Sequence, residues 1–164
     1  MNAPSIPALD ASRLRRTFGR FPSGVMAVCG LVDGTPIGMA ASSFTSVSIE
    51  PPLASFCVAN ESTTWPALRI APRIGLNVLS ADQVVACKQL SAKAGDRFAG
   101  IAWHLTETGT VLLDGAAAWL ECTIETEIPA GDHKIILFRI HSLGEDRTVT
   151  PLVFHDSSFR QLAI

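Results

Sequence analysis

The segment Gly38–Pro52, GMAASSFTSVSIEPP, restricts the fold of this chain more than any other stretch. Five of the seven residues from Ser42 to Ser48 carry hydroxyls, and apolar strand-like runs flank them on both sides. Buried hydroxyls are costly unless each finds a partner. A core segment so rich in them either pairs them internally or presents them to a polar guest. Gly38, Ala40 and Ala41 stand just before and leave room for a flat ligand to approach the backbone. Pro51 and Pro52 end any strand ladder, because neither ring carries an N–H. The plainer alternative is a Ser/Thr-rich strand bend in an ordinary barrel.

A chain of 164 residues fits one domain with a sizeable core. Hydrophobic residues make up 48% and charged residues 17%, with a mean hydropathy of +0.31. That is apolar for a soluble monomer, so part of the surface is expected to be covered by another subunit. No apolar run approaches the roughly 18 residues of a membrane span. The opening residues, MNAPSIPALDASRLRR, place their charges after a short proline-broken segment, unlike a signal peptide. A net charge of −2 and a pI near 6.0 argue against nucleic acid as a partner. The one basic cluster, Arg13, Arg15 and Arg16, fits a solvated helix face. Cys29, Cys57, Cys87 and Cys122 are scattered, with no zinc-like or CxxC spacing. They read as reduced core residues of a cytoplasmic protein.

In chain order, residues 1–8 are expected to be loose. Asp10 or Ser12 caps a helix to about Phe21, with Leu14, Phe18 and Phe21 on its inner side. Val25–Val32 reads as a buried strand, Asp33-Gly34 as a hairpin turn, and Pro36–Ala41 as the return strand. Leu53–Val58 is a strand, and Pro66 sits in the first turn of a short helix from Thr64 to Ile70. Ile74–Leu79 is another strand. Ser80 and Gln83 have capping-box spacing at the start of a helix to Leu90. Ala118–Ile128 alternates Leu120, Cys122 and Ile124 with Trp119, Glu121 and Glu125, which predicts one buried and one solvated face. Lys134–Leu143 and Leu152–His155 complete a mainly β chain, suggesting a closed or nearly closed barrel with few helices.

GxGxxG, P-loop and GxSxG motifs are absent, and the four histidines show no ligand spacing, so no metal is expected. Three loops carry candidate chemistry. Glu61-Ser62-Thr63-Thr64 before a helix offers hydroxyls and N–H groups to an anion, or serves as an ordinary N-cap. Arg97, between Asp96 and Phe98 in a glycine-flanked loop, can fork onto a phosphate or simply pair at the surface. Gly131-Asp132-His133 at a strand mouth places a histidine to meet a substrate, or merely makes a turn.

Taken together, FPSGV (Phe21–Val25), Gly38–Leu53, STTWPAL (Ser62–Leu68), LNVLSADQ (Leu76–Gln83), GDRFAGI (Gly95–Ile101), LLDGAAAWLEC (Leu112–Cys122) and AGDH (Ala130–His133) make the chain resemble the flavin reductase family over nearly its whole length. These are short-chain NAD(P)H:flavin oxidoreductases with the FMN-binding split-barrel fold. The resemblance implies that Ala41, Ser42, Ser43, Phe44, Thr45, Ser46 and Ser48 hold the isoalloxazine edge and ribityl chain. It implies that Ser62, Thr63 and Arg97, with Phe98 beside it, face the flavin phosphate. His133 falls where nicotinamide approaches, and His155 and Phe159 where a C-terminal segment covers the flavin. Ala40 stands where relatives often carry threonine, a lost hydrogen bond worth about 0.5–1.5 kcal/mol.

The implied activity is reduction of FMN or FAD by NADH or NADPH, with hydride passing to flavin N5. The implied partner is a separate monooxygenase that receives the reduced flavin, and the implied assembly is a homodimer. Two other readings stay open: a flavin-binding electron carrier, and a split-barrel oxidase of a phosphorylated small molecule. The latter would need a further cationic cluster.

Overall fold

The computed structural model describes residues 8–163. Apart from Ala8, the N-terminal segment expected to be loose lies outside them. Within them, twelve strands and three short helices run in the order α1 (Ala11–Gly19), β1 (Ser23–Gly24), β2 (Met26–Val32), β3 (Thr35–Ala41), β4 (Thr45–Ser48), β5 (Leu53–Ala59), α2 (Trp65–Leu68), β6 (Ile74–Val78), α3 (Val84–Leu90), β7 (Trp103–Leu105), β8 (Val111–Leu113), β9 (Ala118–Ala130), β10 (His133–Glu145), β11 (Val153–His155) and β12 (Ser158–Arg160). No helix among the described residues is long and apolar enough to cross a membrane.

Seven antiparallel strands form the main sheet, in the order β3-β2-β6-β9-β10-β5-β4. Its two edge strands, β3 and β4, are joined by only Ser42, Ser43 and Phe44. Laid flat, six inter-strand gaps of about 4.8 Å would hold those edges roughly 29 Å apart. The link from Ala41 to Thr45 reaches at most about 15 Å. The sheet must therefore curl until its edges meet, and connectivity alone makes it a barrel. Ser43 closes the seam: its hydroxyl donates to the Cys57 carbonyl (3.1 Å) and accepts from the Cys57 N–H (2.9 Å) on β5. The other hydroxyls of this stretch do not sit in the core; Ser42, Thr45 and Ser46 are exposed on an edge, where water satisfies them.

Strand β2 is buried on both faces, which explains its nearly unbroken apolar run. Met26 and Val28 point into the barrel with Phe56, Leu68, Ile74, Leu76, Ile136 and Phe138. Phe56 stacks on Phe138 at 5.6 Å and meets the edge of Trp65 at 5.4 Å. Ala27 and Cys29 face a second core with Leu90 from α3, Val111 and Leu113 from β8, and Leu79, Phe98 and Leu152 from the connecting segments. The Asp33-Gly34 turn between β2 and β3 has φ of 50° and 76°, both left-handed, as a tight hairpin requires. Ser80 and Gln83 form the expected capping box, but the first turn behind it, Ala81–Gln83, is 3-10.

Three expectations are corrected. Helix α1 is capped by Asp10, whose carboxylate accepts from the Arg13 N–H at 2.7 Å, yet it buries no residue. Leu14, Phe18 and Phe21 are 36%, 69% and 79% exposed. Amphipathic spacing marks a face that seeks an apolar partner but does not say whether this chain supplies it. Cys57 is exposed, because it takes an outward position of β5 between buried Phe56 and Val58. Glu121, expected on a solvated face, is buried, because the β7–β8 hairpin covers that face of β9. Its Oε2 accepts from the hydroxyls of Thr106 (2.8 Å), Thr110 (2.7 Å) and Thr108.

Burial pushes the Glu121 carboxyl up, but the threonine donors and the Arg73 charge outweigh it and hold it below its ordinary value. A carboxylate lowered on folding stabilises the native state above its unfolded pKa, and this contribution fades as pH falls through the folded value. Glu121→Gln should therefore cost about 1–3 kcal/mol at neutral pH, from three donors left short of an anionic acceptor. The difference from the parent should shrink in acid. Urea unfolding of both proteins across that range measures it; a pH-independent difference would assign Glu121 a packing role alone.

Candidate functional site

Strand β3 lies at the sheet edge, paired with β2 on one side only. Its outer margin carries backbone groups without a strand partner and small side chains, Gly38, Ala40 and Ala41. Along this margin run three cavities that share walls and form one groove. The largest, about 500 Å³, is lined by Met39 and Ala40 from β3, by Glu61–Thr64, and by Leu90, Ser91, Lys93 and Arg97. A second, about 360 Å³, continues past Pro36–Gly38 between Ala67 and the Gly95–Phe98 loop. The third, about 160 Å³, extends the other way over Ala40, Ala41 and Ser42 to Cys87, Phe154 and Phe159.

The groove is chemically polarised. Arg97 and Lys93 meet the hydroxyls of Thr63 and Thr64 where the two larger cavities join. The Arg97 guanidinium is pinned to β3, with Nη1 donating to the Gly38 carbonyl at 3.1 Å. This aims the rest of its planar fork along the groove. The loop carrying it is fixed in turn: Gln89 Nε2 donates to the carbonyls of Arg97 (3.0 Å) and Ala99 (2.5 Å), and the Phe98 N–H donates to Asp96 Oδ1 at 2.9 Å. The Ser62 hydroxyl accepts from the Trp65 N–H, the first of α2, at 3.1 Å, with its own proton left to donate, while the N-cap residue Thr64 makes no side-chain cap bond. At the far end the small sheet β1-β11-β12 carries Phe154 and Phe159, rings edge-to-face at 5.5 Å, as an aromatic wall.

Of the residues singled out in the sequence, Ala41, Ser42, Ser62, Thr63, Arg97, Phe98 and Phe159 line this groove. Phe98 does so from below: it is 8% exposed and belongs to the second core, beneath Gly38. Ser43 spends its hydroxyl on the barrel seam. Phe44, Thr45, Ser46 and Ser48 do not line the three cavities; Phe44 ends the β3–β4 link and the others run on in β4, which pairs with β5. His155 pairs with Ser158 in the β11–β12 hairpin and does not line the groove either.

His133 stands on the β9–β10 hairpin, outside the three cavities. Asn60 ties that hairpin to the groove's loop, its N–H donating to Asp132 O at 2.9 Å and its Nδ2 to Gly131 O at 3.2 Å. His133 Nδ1 lies 2.7 Å from Asp132 Oδ1, and the ring holds the Asp132 carboxyl below its ordinary value. Sequence reasoning named Thr64 only within the loop before α2 and did not single out Ser91, Lys93 or Phe154 as site residues. Lys93 had a signal, since it shares the charged loop with Arg97; Phe154 had none beyond its place in a late apolar run.

A family model described as "Flavin reductase like domain" matches residues 18–163. A flavin reductase of Pseudomonas putida is 35% identical over 153 residues, covering 93% of this chain and 90% of that one. The flavin-dependent monooxygenase reductase subunit HsaB of Rhodococcus jostii (strain RHA1) is 34% identical over 157 residues, covering 96% and 80%. Among solved structures, the Streptomyces globisporus C-1027 NADH:FAD oxidoreductase SgcE6, in complex with NAD and FAD fragments, superposes with a TM-score of 0.90 at 35% identity over 98% of both chains. With sequence and fold matched over almost their full extent, this chain belongs to the flavin reductase-like domain family.

Proposed function

We propose that the groove along β3 is a flavin site, and that the chain reduces flavin with NADH or NADPH and releases it to a separate monooxygenase. One observation carries the reading: a floor of small residues with free strand backbone, bounded by a cationic, hydroxyl-rich end and an aromatic end. That donor set fits a flavin nucleotide. Arg97, Lys93 and Thr63 match a phosphate, Ala40–Ser42 a flat ring edge, and Phe154 with Phe159 a covering wall. The relatives support it, since each is a flavin reductase, a reductase subunit of a flavin-dependent monooxygenase or an NADH:FAD oxidoreductase.

When bound, a flavin takes the two electrons and one proton of a hydride from reduced nicotinamide. The protein's part is to bind and orient. Arg97, held by Gly38, would bind the phosphate end, and the small side chains of Ala40 and Ala41 would leave room for a flat ring. Ser42 offers a hydroxyl at the ring edge, and the small floor residues let two flat rings come close enough to react, about 3–3.5 Å. Ala40 supplies no hydroxyl there, which favours a flavin that enters and leaves over one held permanently. Four free cysteines accord with a reducing compartment such as the cytoplasm. The exposed Leu14, Phe18 and Phe21 accord with a homodimer.

The test is a matrix of donor against acceptor, following loss of reduced nicotinamide with and without added FMN or FAD. Oxidation dependent on added flavin is expected; none with any pair would sink the reading. His133, oriented by Asp132, is assigned to the nicotinamide. His133→Ala should raise KM for the donor about tenfold, one unit of 1.4 kcal/mol, with little change in flavin Kd. Steady-state kinetics equal to the parent's would remove His133 from that role.

A further inference from the structure

We infer that Gln89 is a positioning residue: by clamping the loop that carries Arg97 to helix α3, it sets how strongly the groove prefers FMN to riboflavin. The inference rests on the flavin reading of the groove. Gln89 stands half-buried in the last turn of α3 and lines none of the three cavities, so it touches no ligand there itself. Its Nε2 instead donates to the carbonyls of three loop residues, Asp96 (3.4 Å), Arg97 (3.0 Å) and Ala99 (2.5 Å). An amide nitrogen carries only two hydrogens, so the three acceptors share them.

The loop needs such a clamp. Residues 95–100 lie between α3 and β7 with no helix or strand of their own. Gly95 and Gly100 bracket them at φ of 90° and 73°, and glycine at both ends lets a segment swing unless something outside selects one arrangement. The bonds from the Phe98 N–H to Asp96 Oδ1 and from the Ala99 N–H to Asp96 O only fold the loop on itself. Two ties reach β3, the Phe98 ring beneath Gly38 and Arg97 Nη1 on the Gly38 carbonyl. Among the described residues, Gln89 alone hydrogen-bonds the loop back to α3.

That tie bears on the cationic end of the groove. Leu90 and Ser91, next to Gln89, wall the largest cavity together with Lys93 and Arg97, so Gln89 joins the two parts of one wall. Arg97 is thereby held at two points: its own carbonyl by Gln89 and its guanidinium tip by Gly38. Two fixed points give the planar fork one direction, and a fork binds an oxyanion well only when it is aimed. Ala40, Ala41 and Ser42, at the other end, make no bond to Gln89. A flavin without a phosphate should therefore not sense it.

Gln89→Met keeps the length of the side chain and removes its donors. Titration of FMN and riboflavin into the full chain, followed by fluorescence, should show the FMN Kd raised about tenfold and the riboflavin Kd moved less than about twofold. In steady-state kinetics, KM for FMN should rise about tenfold while kcat at saturating FMN holds. In an Arg97→Ala background the same substitution should change FMN affinity less than about twofold, because the group it positions is gone. Gln89→Glu, a carboxylate that only accepts, should lose FMN affinity at least as far and serves as the second variant if methionine unfolds the chain. Parent-like FMN affinity in either variant, an equal loss for riboflavin, or the full loss persisting without Arg97 would overturn the inference. If Arg97→Ala weakened FMN binding and Gln89→Met did not, the flavin reading would stand and only the role of Gln89 would fall. If the unaltered protein bound no flavin, both would fail.

Discussion

Arg97→Glu is expected to raise the Kd for FMN about 100-fold or more. Charge-assisted hydrogen bonds are worth about 1.5–3 kcal/mol each, and the substitution adds repulsion to their loss. Arg97 stands half-buried with Lys93 at the groove's cationic end, tied to Gly38 at 3.1 Å. Arg97→Lys should fall between, near tenfold, since an ammonium keeps the charge but loses the planar fork. Riboflavin, which has no phosphate, separates a local effect from a general one: its affinity should change little in either variant. Titrations of FMN and riboflavin into the three proteins measure this. Equal losses for both ligands would mean that Arg97 shapes the groove and does not bind the phosphate.

Gly75→Val should destabilise the fold by about 3 kcal/mol or more, at the upper end of overpacking costs. Gly75 lies in β6, between β2 and β9 at the middle of the sheet. A Cβ there would run into the Val111 carbonyl of β8 and press on Thr110 Cγ2 at 3.1 Å. Both obstacles belong to the hairpin whose threonines hold Glu121, so the backbone cannot simply retreat. Gly144→Ala provides the contrast. The nearest obstacles to its Cβ are atoms of the Trp119 ring, from 2.6 Å, and a side chain on the long β9–β10 ribbon can turn aside. Denaturant unfolding of both variants should show the larger loss at position 75; the reverse order would mean that the second core yields more readily than the ribbon.

Much of this protein was legible in its sequence because local chemistry set it. The Asp33-Gly34 turn needs left-handed backbone, the Ser80–Gln83 box needs that spacing, and β2 has no polar face to show water. Ser62, Thr63 and Arg97 could be picked as anion partners from their residue types and loops, and they do line one groove. Family motifs then supplied what local chemistry could not, the flavin.

Other features required the chain to be closed in space. Nothing local to Ser43 says that its hydroxyl will tie the β3–β4 link to β5, since its partner there is 14 residues away. Likewise Glu121 looks like a solvated strand position until the hairpin at Thr106–Thr110 folds over it. Phe44–Ser48 share their composition with the groove residues but run on into β4 against β5 and line none of the groove's cavities, a distinction only the tertiary structure makes. The sequence alone determined seven of the twelve strands among the described residues, the turn that joins β2 to β3 and which side chains can meet an anion, because these depend on residues a few positions apart; the short β1, β4, β7, β8 and β12 were not legible there. Only the tertiary structure decided which hydroxyls are spent inside and which cations share a groove. Those depend on contacts between residues distant in the chain, which exist only once the seven-stranded sheet has curled onto itself.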